Sequence, residues 1–231
     1  MTLKLTCSEL YGKYAVHELL SSGTIPSCGC DINEPHPNEI PGRDILCDED
    51  GKWLAIEREA HGMSIDAGPL VHRVPCIGYV FTEPPRAEPL SQEGHIEPIT
   101  RNHAALISAG HRNPRALLGR LLSTRIPISL PDGTTLYPPP LSIAGRKIVV
   151  LGDTSDSDGI MELAADASLL VHEATNAYVR APGEHATLEN MSEDEKRRVR
   201  EKAISRGHST ADMAGAFARK IRARRLILKS L

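Results

Sequence analysis

The stretch GRKIVVLGDTSDS, Gly145 to Ser157, decides the fold. Lys147–Leu151 is a short apolar run, the pattern of a buried strand, and it ends at Gly152-Asp153-Thr154, a loop beginning at the strand end. The pattern then recurs. Ile160–Ala167 predicts a helix and Ser168–Val171 a second apolar strand, running into His172-Glu173-Ala174-Thr175. Met191–Ser205 reads as a charged helix whose Ser192 and Glu195 have the spacing of a capping box. A further helix is expected over about Asp212–Ala223, with Ser209 or Thr210 as its cap, and Arg225–Leu231 begins another strand. Strand–helix–strand–helix–helix–strand is an α/β signature.

Open α/β layers place reactive side chains in the loops beyond their strand ends. By that rule Asp153, the His172-Glu173 pair and His208, in Gly207-His208-Ser209-Thr210, are candidate chemical residues. Each alone is weak. Asp153 fits a turn or helix-cap role, His208 a polar helix boundary, and His172 a structural position, because alternate residues of a strand point to opposite faces. Their coincidence on successive elements is the stronger signal.

Working outward, Lys13–Leu20 reads as a short strand, followed by a proline-rich turn region over Ser21–Arg43. Asp44–Cys47 and Lys52–Arg58 flank Asp48-Glu-Asp-Gly51 and predict a hairpin. Val74–Thr82 predicts a strand preceded by His72-Arg73. From Glu83 to Pro98 proline and charge dominate, an excursion away from the core. Asn102–Leu122 shows helical periodicity broken by Gly110, Pro114 and Gly119.

At 231 residues with a formal charge of −3, the chain can bury a core and is not a generally basic nucleic-acid binder, although a local basic groove stays open. Aromatic residues make up only 3%, so any nucleic-acid contact is expected to be with phosphates rather than stacked bases. Five scattered cysteines and no signal-sequence pattern predict an intracellular protein, cytoplasmic or nuclear, and no apolar run is long enough to span a membrane. Cys28-x-Cys30 with His36 and Cys47 matches no common structural-zinc spacing; ordinary loop thiols are the competing reading.

GRKIVVLGDTSDS, SLLVHEAT and GHSTADMAGAFARKIRARRLIL (Gly207–Leu228) resemble three consecutive blocks of the tRNase Z family (ribonuclease Z, ELAC-type short form) of the metallo-β-lactamase superfamily, in family order and spacing. LVHRVPCIGYVF (Leu70–Phe81) and YAVHELL (Tyr14–Leu20) are similar to upstream blocks. The resemblance implies an α/β fold, an αββα metallo-β-lactamase sandwich that is incomplete over residues 1–231, with a flexible arm inserted over 83–125. It implies tRNA 3′-end processing: zinc-dependent endonucleolytic removal of the 3′ trailer from precursor tRNA by a homodimer. His72 and Asp153 match metal ligands, Asp153 the carboxylate that bridges two Zn2+ ions. Glu173 and His208 match a carboxylate–imidazole pair that hands a proton to the leaving ribose 3′-oxygen.

In the arm, Asn113-Pro114-Arg115 and Gly119-Arg120-Leu121 partly resemble the family's tRNA-clamping motif. Arg112, Pro114, Arg115, Gly119 and Arg120 are therefore candidate substrate-binding residues. Arg101, Arg112, Arg115, Arg120 and Arg125 follow one another with no acid between them, which suits phosphates and equally suits a solvated helix face. The family's His-x-His-x-Asp-His motif does not occur in these 231 residues, and no Thr-His pair follows RLIL. With only His72 and Asp153 as ligands, the chain by itself is expected to hold no zinc pair and to cleave nothing. A non-catalytic tRNA-binding or dimerising protein, and a metallo-β-lactamase phosphodiesterase of other specificity, stay open.

Overall fold

The structure, a computed structural model, describes residues 12–23, 37–58, 62–175 and 192–229. In chain order its strands are β1 (Tyr14–Ala15), β2 (Glu18–Leu20), β3 (Glu39–Ile40), β4 (Asp44–Leu46), β5 (Trp53–Arg58), β6 (Ser64–Leu70) and β7 (Cys76–Thr82). Then come β8 (Ile128–Ser129), β9 (Thr135–Leu136), β10 (Lys147–Leu151), β11 (Leu169–Glu173) and β12 (Leu226–Lys229). The chain divides into two compact units, residues 1–83 with 146–231, and residues 84–145.

The first unit is built on a six-stranded mixed sheet of order β12-β11-β10-β7-β6-β5. β10, β11 and β12 run parallel, so their carboxyl ends lie along one edge, while β10–β7, β7–β6 and β6–β5 are antiparallel. Alternation along each strand sorts the side chains. Val80, Val149, Leu151 and Leu170 face a core shared with Ile160, Ala164, Phe217, Ala218 and Ile221 of the helical segments. On the opposite face Trp53, Ile56 and Ala67 are packed by Leu19, Ile45 and Cys47 from the first residues of the unit. Farther along, Ile227 and Leu228 of the edge strand β12 are 51% and 45% exposed.

A glycine pair sets one feature that matters for the site. Gly68 of β6 and Gly78 of β7 are register partners. A Cβ on Gly68 would lie 2.8 Å from Ile160 Cγ1, and one on Gly78 would lie 2.9 Å from Ile160 Cδ1. The missing side chains let the short 3-10 turn Asp158–Ile160 seat directly on the sheet, with Ile160 fully buried. That seat fixes the far end of the loop that begins at Gly152.

The strand at Lys147–Leu151 forms as its apolar run predicts, and the second runs two residues farther than Val171, through Glu173. The predicted charged helix is Glu193–Ser205, closed by the expected capping box: Ser192 Oγ accepts from Glu195 N at 3.3 Å and Ser192 N donates to Glu195 Oε2 at 2.9 Å. The next helix is Ala211–Lys220. Thr210 is its N-cap residue but makes no side-chain cap bond, its hydroxyl going to the Asp212 carboxylate instead.

Two expectations need correcting. The turn at Asp48–Gly51 forms, with Asp48 N on Lys52 O at 2.8 Å, but its flanking strands do not pair with each other. β4 joins β2 in a separate parallel pair and β5 joins β6, because burying Trp53 and Ile56 against Ala67 outweighs local hairpin closure. β6 is an additional strand, hidden in the sequence by Gly68-Pro69. Of the cysteine–histidine group considered for structural zinc, only Cys47 lies within the described residues, as a free thiol. No described helix is long and apolar enough to cross a membrane.

Residues 84–145 carry their own core: Ile99, Leu106, Leu117, Leu121, Ile128, Leu130 and Leu136. Leu117 and Leu121 lie one turn apart on the helix Ala116–Thr124 and both point inward. The unit extends past Arg125 to include the β8–β9 pair, whose turn is held by Asp132. The Thr134 N–H at 2.9 Å holds the Asp132 carboxyl well below the ordinary carboxylate range.

Candidate metal and phosphodiester site

Four stretches distant in sequence are laced together at the edge where β10 and β11 end. Asp153 follows β10; Glu173 closes β11; His72 lies between β6 and β7; His208 precedes the helix Ala211–Lys220. Backbone bridges tie the first and third of these: Ser155 N donates to Val71 O at 2.8 Å, and Val71 N to Asp156 O at 3.1 Å. Thr154, fully buried, is the hub. Its N–H donates to Glu173 Oε1 at 2.6 Å, its hydroxyl to Asp156 O at 2.6 Å, and its carbonyl accepts from Ser209 Oγ at 2.5 Å.

Glu173 is a charged residue with no solvent exposure, and such a group is tolerated only when its oxygens are satisfied. Three donors do this: Thr154 N–H, the Thr175 hydroxyl at 2.8 Å, and Nδ1 of His208, 3.1 Å from Oε2. The arrangement orients the His208 ring, whose side chain keeps 17% of its surface exposed. His72 is fixed differently. Its Nδ1 lies 2.7 Å from the carbonyl oxygen of Gly207, and a carbonyl can only accept, so Nδ1 carries the proton. Gly207 has φ +82°, and a Cβ there would fall 2.4 Å from His72 Nδ1, so the carbonyl reaches His72 only because the residue is glycine.

The result is a cluster in which one ligand atom each from His72, Asp153 and His208 lie within 4.8 Å of one another. The two imidazole rings meet edge to face with centroids 5.0 Å apart. Two nitrogens and a carboxylate oxygen form a donor set that fits zinc, and both histidines show the outer hydrogen bonds that orient metal ligands. The family resemblance pairs His72 with Asp153 and His208 with Glu173; the fold brings all four to one edge of the sheet. Thr154 and Gly207 are not singled out by sequence, and Ser209 only as a helix-cap candidate, although each flanks a residue that is.

His172 stands apart from this group. It is 1% exposed, its Nδ1–H donates to the Glu173 carbonyl at 2.8 Å, and its Nε2 accepts from the Ser157 hydroxyl at 3.1 Å. Burial pushes its pKa down, so the ring is a neutral structural element. It also borders a cavity of about 360 Å³ lined by Ser157, Arg200, Met213, Phe217 and Lys220.

In residues 84–145, Arg112, Arg115, Gly119 and Arg120 are exposed and Pro114 is buried. The other two arginines of the run are engaged: Arg101 pairs with Asp132 at 3.0 Å, and Arg125 turns inward to donate to Pro139 O at 2.8 Å. The basic surface is therefore smaller than five consecutive cations imply, because Asp132, distant in sequence, supplies the missing acid.

A central mixed sheet packed by helical segments, with carboxylates and imidazoles gathered where its parallel strands end, defines an α/β protein with a candidate metal site. No protein-family model matches the chain. It is 32% identical over 242 residues to human zinc phosphodiesterase ELAC protein 1, covering 98% of this chain and 57% of that protein. Ribonuclease BN of Proteus mirabilis and ribonuclease Z of Myxococcus xanthus are each 31% identical over 173 residues, covering 74% of this chain and 46% of those proteins. The solved structure of human tRNase Z, short form, covers 100% of this chain and 56% of its own at 25% identity, with a TM-score of 0.48. Nearly the whole chain is thus similar to part of a tRNase Z (ribonuclease Z, ELAC-type) protein, and it spans little more than half the length of the human relative it matches.

Proposed function

We propose that this chain acts in tRNA 3′-end processing, contributing the proton-donating and part of the metal-holding machinery of an endoribonuclease that removes the 3′ trailer. The observation that carries this reading is the buried Glu173 carboxylate, satisfied by Thr154 and Thr175 and in contact with His208, beside the His72–Asp153 pair. His72 and Asp153 would hold zinc, which when bound activates water and neutralises charge at a phosphodiester.

The chain's own groups have definable work. Glu173 holds His208 through Nδ1, leaving Nε2 as the nitrogen able to give a proton to the departing ribose 3′-oxygen. As water's oxygen bonds to phosphorus and the P–O3′ bond breaks, that proton converts the leaving oxygen to a hydroxyl. The trailer keeps the phosphate. Arg112, Arg115 and Arg120 would contact phosphates of the precursor tRNA without reading bases, with residues 83–125 as the arm that presents them. Homodimerisation and a cytoplasmic or nuclear site of action belong to the same proposal.

Among the described residues the cluster has one carboxylate and two imidazoles, too few to hold two ions, so the chain by itself is expected to cleave nothing. The test is cleavage of a 3′-extended precursor tRNA in zinc buffer. The chain is assayed alone, then mixed with the part of the human relative that lies outside the match. The expected result is no product from the chain alone and a tRNA with a free 3′-hydroxyl from the mixture, slowed roughly 10²- to 10⁴-fold by His208→Ala. A mixture that associates but yields no product, or one indifferent to His208→Ala, would sink the reading.

A further inference from the structure

We infer that His208 has a second role in this chain: with His72 and Asp153 it forms a site for a single divalent transition-metal ion, of the zinc type, using the nitrogen otherwise assigned to proton donation. The family resemblance gives His208 no ligand role; the assignment comes from the geometry. Three observations converge on it. One ligand atom from each of the three side chains lies within 4.8 Å of the other two, and all three residues are half-buried rather than splayed into solvent. Both imidazoles have Nδ1 engaged, His72 by the Gly207 carbonyl at 2.7 Å and His208 by the Glu173 carboxylate at 3.1 Å, so Nε2 is the nitrogen each has to offer. These two partners, a backbone carbonyl and a carboxylate, are the groups that fix the tautomer and ring orientation of metal-binding histidines.

The cluster is also held from behind. Ser209 Oγ on Thr154 O ties the residue after His208 to the residue after Asp153, and Gly207 carries the carbonyl that meets His72. Three ligands supplied by elements already cross-linked need little ordering when an ion arrives, and three protein ligands with a position left for water is a common zinc arrangement. The consequence is a competition. While His208 Nε2 binds an ion it has no proton to give, so a chain loaded in this way is a metal-binding protein with its acid blocked.

The test uses the chain as it is, with cobalt(II) as a spectroscopic stand-in and zinc(II) by calorimetry, and involves no RNA. One equivalent should bind saturably, and cobalt should give visible bands of a low-coordinate nitrogen and oxygen site. His208→Ala, His208→Gln, His72→Ala and Asp153→Asn should each weaken binding at least tenfold while urea unfolding stays cooperative. The positioning variants Glu173→Gln and Gly207→Ala should weaken it about 10- to 100-fold. In the metal-free protein, imidazole nitrogen NMR should show His72 as the Nδ1–H tautomer, and Gly207→Ala should remove that preference. No saturable binding by the folded wild-type chain, two equivalents instead of one, or undiminished binding by both His208 variants would overturn the assignment. The inference uses the same residues as the nuclease proposal, yet the two fail separately: cobalt binding is independent of cleavage, and cleavage by the mixture tests His208 only as an acid.

Discussion

The loops at the ends of β10 and β11 and the unit spanning residues 84–145 are held together by opposite means. Around Asp153 and Glu173 the ties are polar and buried: a carboxylate with no exposed surface, a buried threonine and a serine hydroxyl bonding across stretches far apart in sequence. In residues 84–145 the core side chains are apolar and most charges lie outside, with Leu121 and Leu136 fully buried while Arg112, Arg115 and Arg120 are exposed. The difference fits the roles proposed for the two parts. Reactive groups need fixed orientation, which directional hydrogen bonds supply and packing alone does not. A phosphate-contacting surface needs only charge displayed on a stable support.

The contrast breaks most visibly where a buried polar tie is cut. Glu173→Ala strands the Thr154 N–H and releases His208, and we expect a loss of about 3 kcal/mol in urea unfolding of the first unit. Leu121→Ala should cost a similar or slightly smaller amount, about 2–4 kcal/mol, for a different reason: a cavity among Ile99, Leu106 and Leu136. Hydrogen exchange distinguishes the two. Leu121→Ala should lower protection in residues 84–145 and leave β10 and β11 unchanged; Glu173→Ala should do the reverse. Matching exchange patterns in the two variants would show that the units do not keep separate stabilities.

How far the sequence reveals each part follows the same division. Apolar runs mark β10 and β11 because a strand covered on both faces has few polar residues to dilute it, and the capping box is local chemistry displayed within the four residues from Ser192 to Glu195. β6 is obscured because Gly68 and Pro69 look like a turn, and their reason for being in a strand, the seat for Ile160, is a contact made across the sheet. Asp153, Glu173 and His208 stand out from where strands end and a helix begins, whereas His72 is named only through the family resemblance, which also implies that the four act together. The ties that hold them are not legible, since His72 meets Gly207 across 135 positions of chain. Likewise the arginine run reads as five free cations until Asp132 folds back on Arg101 and Arg125 turns toward Pro139.

The surface of residues 84–145 should respond to charge and not to packing. Replacing Arg112, Arg115 and Arg120 together with glutamine should change stability by less than about 0.5 kcal/mol, because exposed side chains away from caps and cores contribute little. If these residues contact tRNA phosphates, the same triple variant should flatten the log–log salt dependence of tRNA binding by about two to three. A slope unaltered by the triple variant would leave the basic stretch as an ordinary solvated helix face. A variant that unfolded would place these arginines in the support and not on the display.

The smallest expected effect tests whether the buried polar ties end at Glu173 or continue through its neighbour. His172 donates to the Glu173 carbonyl and accepts from Ser157, so both ring nitrogens are used only while the ring is neutral. Its pKa in the folded chain is depressed by burial below the ordinary imidazole value of 6.5, so below that value the unfolded state binds more protons than the folded state. Stability is therefore fully present above the unfolded pKa and declines as pH falls toward the depressed folded value. The urea midpoint should be lower at about pH 5.5 than at about pH 7.5, and His172→Gln, which has nothing to titrate there, should make that decline shallower. Because protonation would remove the acceptor facing Ser157, the same acid range should raise hydrogen exchange first in the turn Asp158–Ile160. Equal pH slopes for wild type and variant would mean that this imidazole only fills space, and that the directional network stops one residue short of it.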